Sequence, residues 1–130
     1  MPVTIHASQL SVIEEHGVLV TTLAARSTED EDFYLMLQHK PVYDDQDLKF
    51  GMNKPHLEFC GQGWSWYGHI LSFTLHRNRV NIQMDQEAAE HMRNDGTLEV
   101  TFSANLDEFK SLQVAIERTF RGYSYFRDES

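Results

Sequence analysis

The stretch that decides the fold is Asn105-Leu-Asp-Glu-Phe-Lys-Ser-Leu-Gln-Val-Ala-Ile-Glu-Arg-Thr-Phe-Arg-Gly122. Asn105, followed three residues later by Glu108, is a near relative of the capping box, and Gly122 is a natural helix stop. Between them, apolar residues recur at the spacing of one helix face: Leu106, Phe109, Leu112, Ile116 and Phe120. The pattern predicts an amphipathic C-terminal helix over Leu106–Phe120, and its apolar stripe needs a sheet to pack against.

The residues before this helix alternate between apolar and polar, as strands with one buried face do. The alternating or β-rich segments are 3–7, 10–12, 18–25, 33–38, 56–59, 71–76, 80–84 and 98–102. In the segment 71–76, the pattern predicts that Leu71, Phe73 and Leu75 share the buried face. Asp85 is predicted to cap a short helix near 86–92.

These patterns together predict an α+β fold. We expect an antiparallel, meander-like sheet of about six or seven strands packed against one long C-terminal helix. At 130 residues the chain is expected to form a single domain, 1–130, with a core over 3–120 and a tail over 121–130. The aromatic residues of that tail either dock on the core or fray.

The charge of the chain restricts its partners. It carries 20 acidic and 11 basic residues, a formal net charge of -9. Such a balance repels nucleic acid and anionic membranes, and it favours encounter with a basic protein. No signal peptide is visible, because His6, Glu14 and Glu15 interrupt the N-terminal apolar residues, and no long apolar run could span a membrane. The expected location is cytoplasmic.

The residue types that carry catalysis or bind metals show no strong spacing. The seven histidines form no His-x-x-x-His pair, and Cys60 is the single cysteine. Phosphate-binding loops and nucleophile elbows are also missing from the sequence. We therefore predict no catalytic residue, no metal ligand and no cofactor, and we expect that the chain is not an enzyme.

Acidic loops and tryptophans are the candidate partner-binding residues. Asp44, Asp45 and Asp47 lie in a polar connection between strands, and Glu29-Asp30-Glu31-Asp32 forms a second acidic loop. Either group is a solvated surface loop or a surface that attracts a basic partner. Trp64 and Trp66 share one face of an extended segment. They either cover the core edge or form an exposed aromatic platform of the kind that anchors interfaces.

A small-ligand pocket is the alternative function. In this reading, the sheet and the helix enclose a cavity lined by Phe33, Tyr34, Phe59, Trp66 and Phe73. A large apolar cavity with a few convergent polar groups would favour it, and a filled core would count against it.

Two short motifs resemble the immunity protein ten family, small bacterial proteins encoded beside polymorphic toxins. The first is Asp45-Gln46-Asp47-Leu48-Lys49-Phe50-Gly51-Met52-Asn53, and the second is Tyr67-Gly68. The family positions are Gln46, Asp47, Gly51, Met52, Tyr67 and Gly68. The family tends to a second glycine after the tyrosine, whereas this chain has His69 there. The likeness extends over roughly residues 3–120.

The resemblance implies a function based on binding. An immunity protein protects its producer by sequestering a cognate toxin domain, and many such toxins are basic nucleases. The acidic residues Asp44, Asp45 and Asp47, with Trp64 and Trp66, would then contact the toxin, and Glu29–Asp32 would steer its approach. Whether the chain is a monomer or a homodimer stays open at this point.

Overall fold

A computed structural model describes residues 3–25, 33–40, 55–59, 65–92 and 95–130. Within these ranges the elements in chain order are β1 (Val3–Ala7), β2 (Gln9–Glu15), β3 (Val18–Ala25), β4 (Phe33–His39), β5 (His56–Phe59), β6 (Ser65–Tyr67), β7 (Ile70–Leu75), β8 (Arg79–Met84), α1 (Gln86–Met92), β9 (Thr97–Phe102), α2 (Leu106–Thr119) and β10 (Phe126–Asp128). The predicted α+β class is confirmed, as are the long C-terminal helix and the short helix near 86–92.

The described strands are divided between two sheets of five. Sheet A has the order β1-β9-β8-β7-β10, and sheet B has the order β2-β3-β4-β5-β6. Sheet B is antiparallel throughout, whereas β1 with β9 and β10 with β7 are parallel pairs. The chain leaves sheet A at Ser8 and returns to it after Gly68 and His69. This crossing separates the expected meander into two sheets.

One hydrophobic core joins both sheets and α2. Leu35, Leu37, Leu57 and Phe59 of sheet B are fully buried. They belong to one cluster with residues of sheet A, such as Phe73, and with the apolar stripe of α2. The alternation in the sequence therefore identified the buried face of these strands correctly.

The capping box of α2 is confirmed. The backbone N–H of Glu108 donates to the Asn105 side-chain oxygen at 2.8 Å, and the backbone N–H of Asn105 donates to the Glu108 carboxylate at 3.0 Å. The helix ends at Thr119, and Phe120 follows as its C-cap. The predicted burial of Leu106 is wrong, because its side chain is 58% exposed.

The edge of the core explains why Leu106 is exposed. The guanidinium of Arg77 lies 4.6 Å from the ring centroid of Phe109, and Arg77 itself is exposed. A charged group stacked on this ring marks Phe109 as the last buried residue at this end of the helix. Leu106 lies one turn further out, beyond that boundary.

The predicted burial of Leu71 is also wrong, since its side chain is 61% exposed. The pairing of β7 with β8 shifts register between Ile70 and Ser72. An irregularity of this kind reverses which residues face the core. Ile70 consequently takes the buried position, and Phe73 and Leu75 are buried as predicted.

The C-terminal tail docks on the core. Strand β10 pairs in parallel with β7, and the Phe126 ring lies 6.1 Å from that of Phe73 and 5.9 Å from that of Phe120, centroid to centroid. Tyr125 and Phe126 pack against the core as partly buried residues. Of the two alternatives for the tail, the structure shows docking.

Candidate functional site

Most of the residues predicted to bind a partner lie outside the described residues. These are Glu29, Asp30, Glu31, Asp32, Asp44, Asp45, Asp47 and Trp64, together with the motif positions Gln46, Gly51 and Met52. The strands that flank them are described, however. Their ends fix where each acidic connection joins sheet B.

The predicted residues divide between two opposite ends of sheet B. The ends of β3 and β5 both lie beside the start of β4, and we call this end of sheet B the Phe33 end. The connection that carries Glu29–Asp32 follows β3, and the connection that carries Trp64 follows β5, so both leave the sheet at the Phe33 end. The start of β5 lies beside the end of β4. The connection that carries Asp44, Asp45 and Asp47 therefore joins the sheet at the opposite end, the His39 end. A strand of the length of β4 separates the two ends by about 20 Å.

Strand β6 places the second motif at the His39 end. Its backbone pairs Trp66 with the fully buried Leu57 and Tyr67 with His56. Gly68 follows directly, and its N–H donates to the carbonyl of Pro55 at 3.3 Å. This bond joins the motif Tyr67-Gly68 to the residue where the described chain resumes after the acidic connection.

The backbone at Gly68 and His69 explains the family preference for two glycines. Gly68 has φ of 85° and His69 has φ of 64°, so both residues occupy the left-handed region. Glycine adopts this conformation at little cost, and histidine is among the side-chain residues that are enriched there. A histidine can therefore occupy this position of the motif.

Two hydrogen bonds connect this turn to Asp85, the residue before α1. The Nδ1 of His69 donates to the Asp85 carboxylate at 2.7 Å, and the backbone N–H of Asp85 donates to the His69 carbonyl at 2.9 Å. The other carboxylate oxygen of Asp85 accepts from the Ala88 N–H at 3.0 Å, which confirms Asp85 as the helix cap. The carboxylate of Glu87 lies 3.9 Å from the same His69 nitrogen. Two hydrogen bonds therefore connect the turn to the cap residue of α1.

The environment of Asp85 keeps its carboxyl group ionised. Burial alone raises the pKa of Asp85, but hydrogen bonds from the Ala88 N–H and from His69 outweigh burial and leave the pKa below its ordinary value. The sequence indicated Asp85 as a cap but not its bond to His69. The only signal for that bond was the departure of His69 from the family motif.

We expect His69→Gly to be about 1 kcal/mol more stable than His69→Ala. Both variants lose the bond to Asp85, and they differ mainly in the cost of a left-handed backbone. Urea unfolding followed by circular dichroism measures the difference. Equal stability of the two variants would show that the left-handed conformation carries no cost here.

Two half-buried histidines of sheet B also lie at the His39 end. Burial lowers the pKa of His39, and the positive charges of Arg118 and Arg121 lower it further. Burial lowers the pKa of His56 as well, and the Glu58 carboxylate partly opposes this effect. The Nδ1 of His39 is buried, with no hydrogen-bond partner among the described residues. Both side chains therefore favour the neutral form in the folded state.

Stability is accordingly expected to fall as the pH is lowered below 6.5, the ordinary pKa of an unfolded histidine. Between that value and the lowered folded-state pKa, the unfolded chain binds more protons than the folded chain, so acid favours unfolding. His39→Gln should reduce this slope in urea unfolding measured across the range. A slope identical to that of the parent chain would rule out His39 as a source.

The structure does not support the alternative ligand pocket, because two of its predicted lining residues lie on different faces of sheet B. Phe59 and Phe73 are fully buried in the core cluster. Tyr34 lies on the opposite face of sheet B from Phe59, which pairs with Leu35, and its hydroxyl donates to the Glu58 carboxylate. The predicted lining is wrong because the consecutive residues Tyr34 and Leu35 point to opposite faces of the strand.

Comparison with known proteins identifies the family. A family model described as Immunity protein 10 matches residues 6–110. The chain belongs to this family. Its membership confirms the resemblance seen in the two motifs and implies a toxin as the partner. No curated protein and no solved structure gives a match.

The Immunity protein 10 match includes the strands and the turn at the His39 end. Residues 6–110 contain sheet B, the Tyr67–His69 turn and Asp85, while most of α2 and all of β10 lie beyond the match. Across the described ranges, neither helix has the length and apolar character needed to cross a membrane. The same ranges hold no group of three His, Cys, Asp or Glu side chains arranged to bind a metal ion.

Proposed function

We propose that this chain neutralises a cognate toxin domain by binding it at the His39 end of sheet B, through Asp44, Asp45 and Asp47. The observation that carries the proposal is the Immunity protein 10 match over residues 6–110. The net charge of -9 supports a basic toxin, because complementary charge accelerates encounter and disfavours wrong partners.

The contacts at the turn support this end of the sheet as the binding surface. The bond from Gly68 to Pro55 and the pair of His69 with Asp85 hold the backbone beside the acidic connection. Pre-organised surfaces lose less conformational entropy on binding. Asp85 and the largely exposed Glu87 add negative charge at the same turn.

The acidic loop at the Phe33 end has a different role in this proposal. The end of β3 and the start of β4, which flank the loop Glu29–Asp32, lie at the Phe33 end, about 20 Å from the His39 end. This separation exceeds the screening length of about 8 Å at physiological salt. These four acids contribute to the overall field that attracts a basic partner and make no direct contact. Trp66 of β6 is the proposed aromatic anchor, where a buried ring would slow dissociation. Trp64 directly precedes β6 and is proposed to extend this contact along the β5–β6 edge toward the Phe33 end.

The mechanism is occlusion without turnover. If the toxin is a nuclease, its site is built for phosphate, and a cluster of carboxylates can occupy that site as a competing anion. The chain then needs no catalytic group of its own. Inhibition follows from the lifetime of the complex.

Co-expression tests the proposal. The chain is produced together with the toxin domain encoded beside it, and growth of the host and co-purification are measured. We expect growth to be restored and the two proteins to purify together. Continued toxicity without co-purification, or turnover of substrate by the purified chain alone, would refute the proposal.

A further inference from the structure

Strand β2 ends sheet B with an apolar edge. It pairs with β3, and no other described strand is its neighbour in the sheet. Val12 is 39% exposed on one face of the strand and Ile13 is 50% exposed on the other. Val114 of α2, 55% exposed, lines a groove together with Val12. An unprotected edge with apolar side chains on both faces is a site for strand pairing.

The hairpin turn determines which backbone groups this edge presents. His16 and Gly17 have φ of 53° and 78°, as a two-residue type I′ turn requires. The flanking pair, Glu15 with Val18, then exchanges hydrogen bonds, and such pairs alternate along the strand. The N–H and C=O groups of the residues with even numbers point away from β3. These residues are Leu10, Val12 and Glu14.

A groove of about 440 Å³ lies between this edge and α2. Val12, Leu19, Val114 and Ala115 line it, together with Lys110, Ser111 and Arg118. The helix and the strand run in the same direction. Leu10 and Leu112 line a second, smaller groove, and Glu14 pairs with Arg118 at the other end of the strand. Because β2 and α2 run in the same direction, a two-fold axis that pairs β2 antiparallel with its copy also places α2 antiparallel to its copy.

The charges of α2 suit a second copy of this chain. Residues 105–121 contain three acids and three bases, which are Asp107, Glu108, Glu117, Lys110, Arg118 and Arg121. This segment is neutral in a chain of net charge -9, so a like copy meets no net repulsion from it. A basic toxin gains no attraction there either. Asp107 in the first turn of α2 and Arg121 just after its C-cap are both exposed, and each is seven residues from Val114 in the sequence.

We propose that the chain forms a homodimer in which β2 pairs antiparallel with β2 of a second copy, about a two-fold axis near Val12. An isologous contact of this kind brings each surface against itself in reverse. Val12 and Val114 then face their own copies, and Asp107 faces Arg121 of the partner subunit in both directions. The dimer contact reaches the His39 end at Arg121, whose charge acts on His39, but the proposal does not depend on the proposed toxin contact.

A charge-swap experiment tests the dimer. Sedimentation velocity over a range of concentrations gives the dissociation constant of the full chain and of the variants Asp107→Arg and Arg121→Glu. Each variant alone places like charges across the axis, so its dimer should weaken by about tenfold or more. An equal mixture of the two should recover the affinity of the parent chain, because each contact in the mixed dimer is attractive.

Leu71→Glu is the matched control, since Leu71 is exposed on sheet A, and its dimer should keep the parent affinity. Val12→Glu should dissociate the dimer. The proposal is overturned if the parent chain is monomeric at every concentration, or if the mixed charge variants stay monomeric. It is also overturned if Val12→Glu reduces toxin binding by a monomeric parent chain, because the groove would then bind the toxin.

Discussion

Replacing Phe120 with alanine is expected to lower the free energy of unfolding by about 3–5 kcal/mol. Phe120 is 1% exposed, and its ring centroid lies 4.5 Å from that of Phe73 in sheet A. It also contacts Tyr125 and Phe126 of the C-terminal segment, with centroids 5.8 Å and 5.9 Å away. One side chain therefore joins the helix, sheet A and β10, and the cavity left by alanine would weaken all three contacts.

Urea unfolding measures this loss, and Leu106→Ala is the control. Leu106 belongs to the same helix but is 58% exposed, so its truncation should change stability by no more than about 0.5 kcal/mol. A typical domain has a stability of about 5–15 kcal/mol, which makes the Phe120 loss a large fraction of the total. Equal losses from the two variants would contradict the assigned core.

Replacing Asp44, Asp45 and Asp47 together with asparagine is expected to weaken toxin binding by about 100-fold or more. Removing one partner of a buried charge pair costs about 2–5 kcal/mol, and about 2.7 kcal/mol corresponds to 100-fold. Asparagine keeps the shape of each side chain and removes its charge. Calorimetric titration of the variant with an inactive toxin domain gives the affinity, and unfolding curves check that the fold is intact.

The matched variant neutralises the other acidic loop, with glutamine at Glu29 and Glu31 and asparagine at Asp30 and Asp32. It removes more charge than the triple variant does, but from the Phe33 end. We expect a lower association rate at low salt and little change in dissociation rate, because steering acts on encounter. If the four-residue variant loses more affinity than the triple variant, the toxin contacts the Phe33 end, which contradicts the proposal.

Local features of the fold could be predicted from the sequence. The capping box at Asn105 and Glu108 depends on residues that are neighbours in the chain, so the pattern was sufficient. The burial of Leu35, Leu57 and Phe73 followed from alternation within a single strand.

Pairing between strands and side chains that are distant in the sequence could not be predicted in the same way. Alternation in β1 or β9 is the same whether the two strands pair with each other or with different neighbours, so the parallel pairs and the division into two sheets left no local signal. The exposure of Leu71 depends on a register shift beside Ile70, which alternation alone does not reveal. The bond between His69 and Asp85 joins residues that are close only because β7 and β8 form a hairpin.

Hydrogen–deuterium exchange of this chain, free and bound to an inactive form of its toxin domain, tests the central claim most directly. We predict that binding slows exchange in 41–54 and around Tyr67–His69, because the proposed toxin contact lies at the His39 end. Exchange in 26–32 should be unchanged. Protection confined to the Phe33 end or to β2, or no protection with a toxin that is nonetheless inhibited, would contradict the account.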